Sequence, residues 1–173
     1  MERLETPRLI LRPWRAADAD DLYEYARDPR VGPIAGWPVH GDRAESLRVI
    51  ETVFAAPHVF AMELREGGKV VGSVGYTDSH RTELPGPDDE IGYCLNPAYW
   101  GRGLMPEAVR EVLRYGFEDL GLAAAWCNHY EGNAKSRRVI EKCGFLYRFS
   151  QETDVPLMGE RRMTHFYALT KDT

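Results

Sequence analysis

The run Asn96-Pro97-Ala98-Tyr99-Trp100-Gly101-Arg102-Gly103-Leu104 is where residue types and spacing point most directly to chemistry. Asn96-Pro97 stops a preceding strand, because proline cannot donate to a ladder and restricts the residue before it. A helix begins almost at once after Gly103. A strand, a glycine turn and a helix N-terminus together offer unpaired backbone N–H groups to an anion. Gly101 and Gly103 would let a phosphate approach without meeting a Cβ atom, and Arg102 adds a positive charge. The competing reading is that the glycines serve turn geometry alone, since one G-x-G is weak evidence by itself.

The elements that must position this turn are legible around it. In Glu90–Leu95, Ile91, Tyr93 and Leu95 fall on one face and Glu90, Gly92 and Cys94 on the other. After the turn, Leu104, Ala108, Val109, Val112, Leu113, Phe117 and Leu120 recur at helical spacing, with Pro106 and Glu107 suited to the first turn. Upstream, Arg8–Arg12 reads as a strand and Asp18–Arg27 as a helix. Asp42 caps a further helix to about Ala56, with Leu47, Ile50, Val53 and Phe54 facing inward. His58–Arg65 and Lys69–Asp78 form a hairpin, and in the second strand Val70, Gly72, Val74 and Tyr76 share a face. Downstream come a strand at Ala123–Asn128, a short helix opening at Asn133-Ala134-Lys135-Ser136, and strands at Phe145–Gln151 and Met163–Thr170. This order predicts a mixed α/β sheet with helices on both faces and a right-handed crossover between parallel neighbours. The Val31–Gly41 and Ser79–Asp88 segments read as loops.

Composition narrows the function. A net charge of -5 argues against a general nucleic-acid binder, and 43% hydrophobic with 28% charged residues is ordinary for a globular chain. No apolar run is long enough for a bilayer, and the N-terminus does not open as a signal peptide. The odd cysteine count, Cys94, Cys127 and Cys143, fits buried thiols in a reducing, cytoplasmic setting, and the histidines are too scattered for a metal site.

Glu90-Ile-Gly-Tyr93, the Trp100–Gly103 turn followed by Glu107-Ala108, and Asn133-Ala-Lys-Ser136 followed by Val139-Ile-Glu-Lys-Cys-Gly144-Phe145 resemble the GNAT superfamily of N-acetyltransferases. The Leu4–Arg12 opening is similar to the branch that includes ribosomal-protein N-terminal (alanine/serine) acetyltransferases. The resemblance implies one GNAT domain over residues 1–173, with a mixed, mostly antiparallel sheet of six to seven strands and a splayed central parallel pair. It implies acetyl-CoA as co-substrate and no metal. The diphosphate would lie on Trp100, Gly101, Arg102, Gly103, Leu104 and Met105, and the pantetheine arm would pair with backbone near Leu95 and with Asn133. The N–H of Leu95 would face the thioester oxygen. Ser136 would contact the sulfur, because Ile140 stands where many members carry a tyrosine that protonates it. Serine is a poor acid, so a hydrogen bond is the contribution expected of it. Glu90 is the first choice for the base, with Glu152 or water behind it. The acceptor would be an amine, either a protein N-terminus or a small molecule; a homodimer is expected by family habit only. The alternative is an acyl-CoA-binding or sensing protein of the same fold with catalysis lost.

Overall fold

The computed structural model describes residues 2–172. One eight-stranded sheet runs in the order β1-β2-β3-β4-β5-β6-β8-β7. Its strands are β1 (Leu4–Glu5), β2 (Leu9–Arg12), β3 (Val59–Leu64), β4 (Val70–Tyr76), β5 (Asp88–Leu95), β6 (Ala124–Tyr130), β7 (Leu146–Val155) and β8 (Glu160–Thr170). All neighbours are antiparallel except β5 and β6. Helices α1 (Ala19–Ala26), α2 (Gly32–Ala35) and α3 (Arg43–Glu51) precede β3, α4 (Leu104–Glu118) joins β5 to β6, and α5 (Ala134–Lys142) follows β6.

The strand count exceeds the expected six to seven. Leu4–Glu5 is too short to show an alternation, and it pairs with Leu11 and Ile10 through a tight turn in which the Thr6 N–H donates to the Leu9 carbonyl. The Val31–Gly41 segment likewise contains the single turn α2. Asp42 caps α3 as expected, accepting from the Glu45 N–H. That helix nevertheless ends at Glu51, where the Thr52 hydroxyl and N–H both return to the Arg48 carbonyl. Val53 is therefore 63% exposed rather than inward-facing, while Phe54 folds back to stack on Trp14.

Two apolar layers cover the sheet. Leu104, Ala108, Val109 and Val112 of α4 pack with Ile140 of α5 on one face, together with Ile91 and Val74. Ala19, Leu22 and Ile50 from α1 and α3 pack with Val59 and Val70 on the other. The expected face of Val70, Gly72, Val74 and Tyr76 is broken by a bulge. Met62 opposes Gly72 and Glu63 opposes Val70, so Val71 is the extra residue and turns toward α4. Where α4 crosses β4, the Tyr76 hydroxyl donates to the Val112 carbonyl, and a Cβ atom added at Gly116 would sit 1.9 Å from that hydroxyl oxygen. Gly116→Ala is thus expected to cost about 1–3 kcal/mol by overpacking, read by denaturant unfolding, with partial recovery in the Tyr76→Phe background.

Candidate active site

The sheet opens in its middle. β5 and β6 pair only through Asp88, Asp89 and Glu90 with Ala124, Ala125 and Trp126. The Trp126 indole N–H donates to Asp88 Oδ2 at 3.0 Å and holds this end closed. Beyond Glu90, β5 stays with β4 as far as Leu95, whereas β6 stays with β8 as far as Tyr130. The Glu90 carbonyl accepts from Thr77 and the Asn96 N–H donates to Val71, both on the β4 side. Strand alternation then directs the backbone of Ile91, Tyr93 and Leu95 into the gap. The Ile91 carbonyl takes the Cys127 thiol at 3.5 Å, and the Leu95 carbonyl takes the Trp100 indole N–H at 3.0 Å. The N–H groups of Tyr93 and Leu95 are left as the strand edge that an extended, amide-bearing molecule could join.

The glycine turn closes one end of this gap. Asn96 Oδ1 accepts from the Ala98 N–H, the chain makes one tight turn through Pro97–Tyr99, and Gly101 and Gly103 adopt φ of +74° and +76°. Gly103 has no side chain with which to cap α4, so the first N–H groups of that helix point outward beside the turn. A Cβ atom added at Gly101 would meet nothing within 4 Å. The side chains of Leu104 and Met105 are buried in the core, so these two residues can offer only backbone here. Glu107 braces the turn from behind, accepting from the Thr6 hydroxyl (2.6 Å), the Arg8 N–H (3.0 Å) and Arg8 Nε (2.9 Å). Arg8 Nη1 in turn donates to the Arg102 carbonyl at 2.8 Å. Lys135 Nζ and the Arg30 guanidinium lie 4.5 and 5.6 Å from the centre of a Trp100 ring, and Arg102 leans on Tyr99 at 5.1 Å. Arg30 is already paired with Asp28 at 2.7 Å, so Lys135 and Arg102 are the cations this rim can offer an anion.

Across the gap stands α5. Asn133 caps it, its Oδ1 accepting from the Ser136 N–H at 3.2 Å, which leaves its amide NH2 as the part able to meet a carbonyl. The Ser136 hydroxyl lies 2.7 Å from the Tyr93 hydroxyl, which reaches over from β5. Burial pushes the Tyr93 phenol well above its ordinary pKa and keeps it neutral. Ile140 is fully buried in the α4-side core and supplies no polar atom to the gap. From the sequence Tyr93 is one of several aromatics, with Tyr130, Tyr147 and His129, that could line the site or belong to the core; its contact with Ser136 is what the sequence does not show.

Glu90 lies on the opposite face. Its carboxylate accepts from Arg81 at 3.1 Å, and the Arg81 guanidinium stacks 4.0 Å above the Phe166 ring. The loop of residues 79–87 that carries Arg81 ends one residue earlier than expected, because Asp88 opens β5, and is held by Asp88 and Asp89, which accept from the N–H groups of Arg81 and Ser79. The Val31–Gly41 loop meets the same face, with Arg162 donating to the Pro33 carbonyl at 2.8 Å while stacked on Tyr130. Glu152 sits exposed on the outer strand β7, with β6 and β8 between it and β5. Cys94 turns away from the gap toward the Tyr25 hydroxyl, and burial pushes its thiol up to about 11. All three cysteines are free. Among the described residues, no helix is long and apolar enough to cross a membrane.

Comparison with known proteins agrees with this fold. The family described as acetyltransferase (GNAT) domain matches residues 8–146, and the chain belongs to that family of acetyltransferases. An uncharacterised N-acetyltransferase, p20, of Bacillus licheniformis is 28% identical over 150 residues, covering 84% of this chain and 83% of its own. The crystal structure of the ribosomal-protein-S5-alanine acetyltransferase from Vibrio fischeri superposes with a TM-score of 0.73 at 20% identity, over 99% of this chain and 98% of that one. Mycobacterium smegmatis RimJ in complex with CoA-disulfide does so at 0.75 and 20%, over 99% and 87%.

Trp100→Phe should retain the ring but lose the bond to Leu95, costing about 1 kcal/mol in unfolding free energy. Backbone amide exchange in residues 96–103 should quicken in that variant.

Proposed function

We propose that this chain is an acetyl-CoA-dependent N-acetyltransferase that moves the acetyl group directly from the thioester to a primary amine, on a protein N-terminus or a small molecule. The observation that carries this is the parting of β5 from β6 beside an open glycine turn at the start of α4. The diphosphate would sit on the backbone of Trp100–Met105 under the cationic rim, and the pantetheine arm would run along the free N–H edge of Tyr93 and Leu95 with Asn133 across from it. The solved complex of a protein with the same fold with CoA-disulfide supports a CoA ligand for this reading.

In the reaction the amine nitrogen forms a bond to the thioester carbon while the C–S pair leaves with sulfur. The Leu95 N–H would stabilise the charge on the carbonyl oxygen, and the Ser136 hydroxyl would hydrogen-bond the departing sulfur. The amine proton would leave on the opposite face, where Glu90 and the two anchored loops face the acceptor. The full burial of Ile140 favours one competitor, a protein that binds acyl-CoA without turning it over. Release of thiol from acetyl-CoA in an amine screen separates the two.

Calorimetric titration with acetyl-CoA tests the placement. Gly101→Val adds about 1–2 kcal/mol of left-handed backbone strain, but its side chain enters empty space, so binding should weaken at least about ten-fold in a folded variant. Unchanged affinity would move the phosphate site elsewhere. Glu90→Gln should lower kcat about 10²-fold or more if Glu90 takes the amine proton. An unchanged kcat would reduce Glu90 to a partner for Arg81.

A further inference from the structure

The Tyr93–Ser136 contact links elements on opposite sides of the gap, β5 beyond its last pairing with β6 and the first turn of α5. The Cys127 thiol also lies within reach of the phenol but is a weak acceptor, and two proton arrangements satisfy the contact between the two hydroxyls. The Tyr93 hydroxyl can donate to the Ser136 carbonyl, 3.1 Å away, while Ser136 donates to the phenol oxygen, which consumes the serine proton. Alternatively Tyr93 donates to Ser136 Oγ at 2.7 Å, and the serine proton remains free. The Ser136 carbonyl lies within α5, where the helix ladder supplies it with a backbone donor, so Oγ is the acceptor with more to gain. The serine backbone is fixed independently, through Asn133 Oδ1. What remains loose is the rotation of its hydroxyl, and the phenol is the group placed to set it.

We propose that Tyr93 is a positioning residue that donates to Ser136 Oγ and thereby turns the serine proton into the gap, toward the sulfur of bound CoA. This rests on the acetyl-CoA reading above. No proton crosses from tyrosine to serine. The phenol stays neutral, as its burial requires, and polarises the serine hydroxyl so that it is a stronger donor than serine alone. The pair stands in for the acid that Ile140 cannot supply. A serine by itself is a weak partner for a thiolate; one that already accepts a hydrogen bond is a better one.

The test uses the full-length protein and free CoA, and needs no acceptor. Ultraviolet pH titration of the CoA complex, taken as a difference from the complex with desulfo-CoA, reports the thiolate fraction of the bound ligand without the protein's own tyrosines and cysteines. Tyr93→Phe should reduce the thiolate fraction at fixed pH about ten-fold, equivalent to one hydrogen bond of about 1.4 kcal/mol. Ser136→Ala should reduce it at least as much, and the double variant should show no further loss beyond Ser136→Ala. Site-specific replacement of Tyr93 by 3-fluorotyrosine, which preserves shape and strengthens the donor, should raise it, and this arm stands even if Tyr93→Phe fails to fold. At a pH low enough that CoA binds as the protonated thiol, the affinity of Tyr93→Phe should change less than two-fold, the loss appearing only where the thiolate is bound. Binding with equal thiolate fractions in wild type and variants would overturn the role of Tyr93 while leaving the cofactor reading intact. Failure of CoA to bind the wild type would overturn both.

Discussion

The parting of β5 from β6 after Glu90 is the constraint on which the rest of the arrangement depends. A parallel pair buried between helix layers would ordinarily continue its ladder, because unmet backbone N–H and C=O groups are costly. Here each strand keeps its other neighbour, β4 or β8, and the central ladder stops after three residue pairs. Side chains take over part of the inner edge: Cys127 meets Ile91, and Trp100 meets Leu95. The remaining edge is a short row of amide donors, inside the sheet and reachable from the glycine turn.

Holding the gap open requires rigid walls. On one side α4 is pressed onto β4 closely enough that only glycine fits at position 116, and Glu107 ties its first turn to the N-terminal strands. On the other face Arg12 binds Asp18 through both terminal nitrogens and Glu63 through Nε, fixing the start of α1 to β2 and β3. These partners are largely buried, so removing one would leave a charge without compensation. The chemistry is thereby divided between faces. Ser136 and Tyr93 lie with the α4–α5 layer, and Glu90 with the loops of the α1–α3 layer. A ligand threading the gap would meet a sulfur partner from one side and an incoming amine from the other.

Much of this is written in periodicity. The alternation of Ile91, Tyr93 and Leu95 and the helical stripe from Leu104 to Val112 survive in the structure because a core face imposes each period. The glycine turn is legible as a turn because Gly101 and Gly103 take positive φ angles that other residues rarely adopt. The family resemblance drew on the same residues. What the sequence concealed has physical causes. Leu4–Glu5 is a strand only because β2 offers it an edge and Glu107 anchors the turn between them. Val71 breaks an apparent alternation because a bulge adds one residue to β4. The Arg81–Glu90 pair depends on a loop path set by Asp88 and Asp89. The Tyr93–Ser136 bond joins residues 43 apart, and neither residue's local context signals the other.

The measurement that bears most directly on the central claim is residue-resolved hydrogen exchange at the Tyr93 and Leu95 amides, with and without saturating acetyl-CoA. If the open edge of β5 receives the pantetheine arm, both amides become protected on binding, together with the turn at residues 100–105. Binding that slows exchange elsewhere and leaves Tyr93 and Leu95 unchanged would contradict the account and make the gap a structural feature of the sheet.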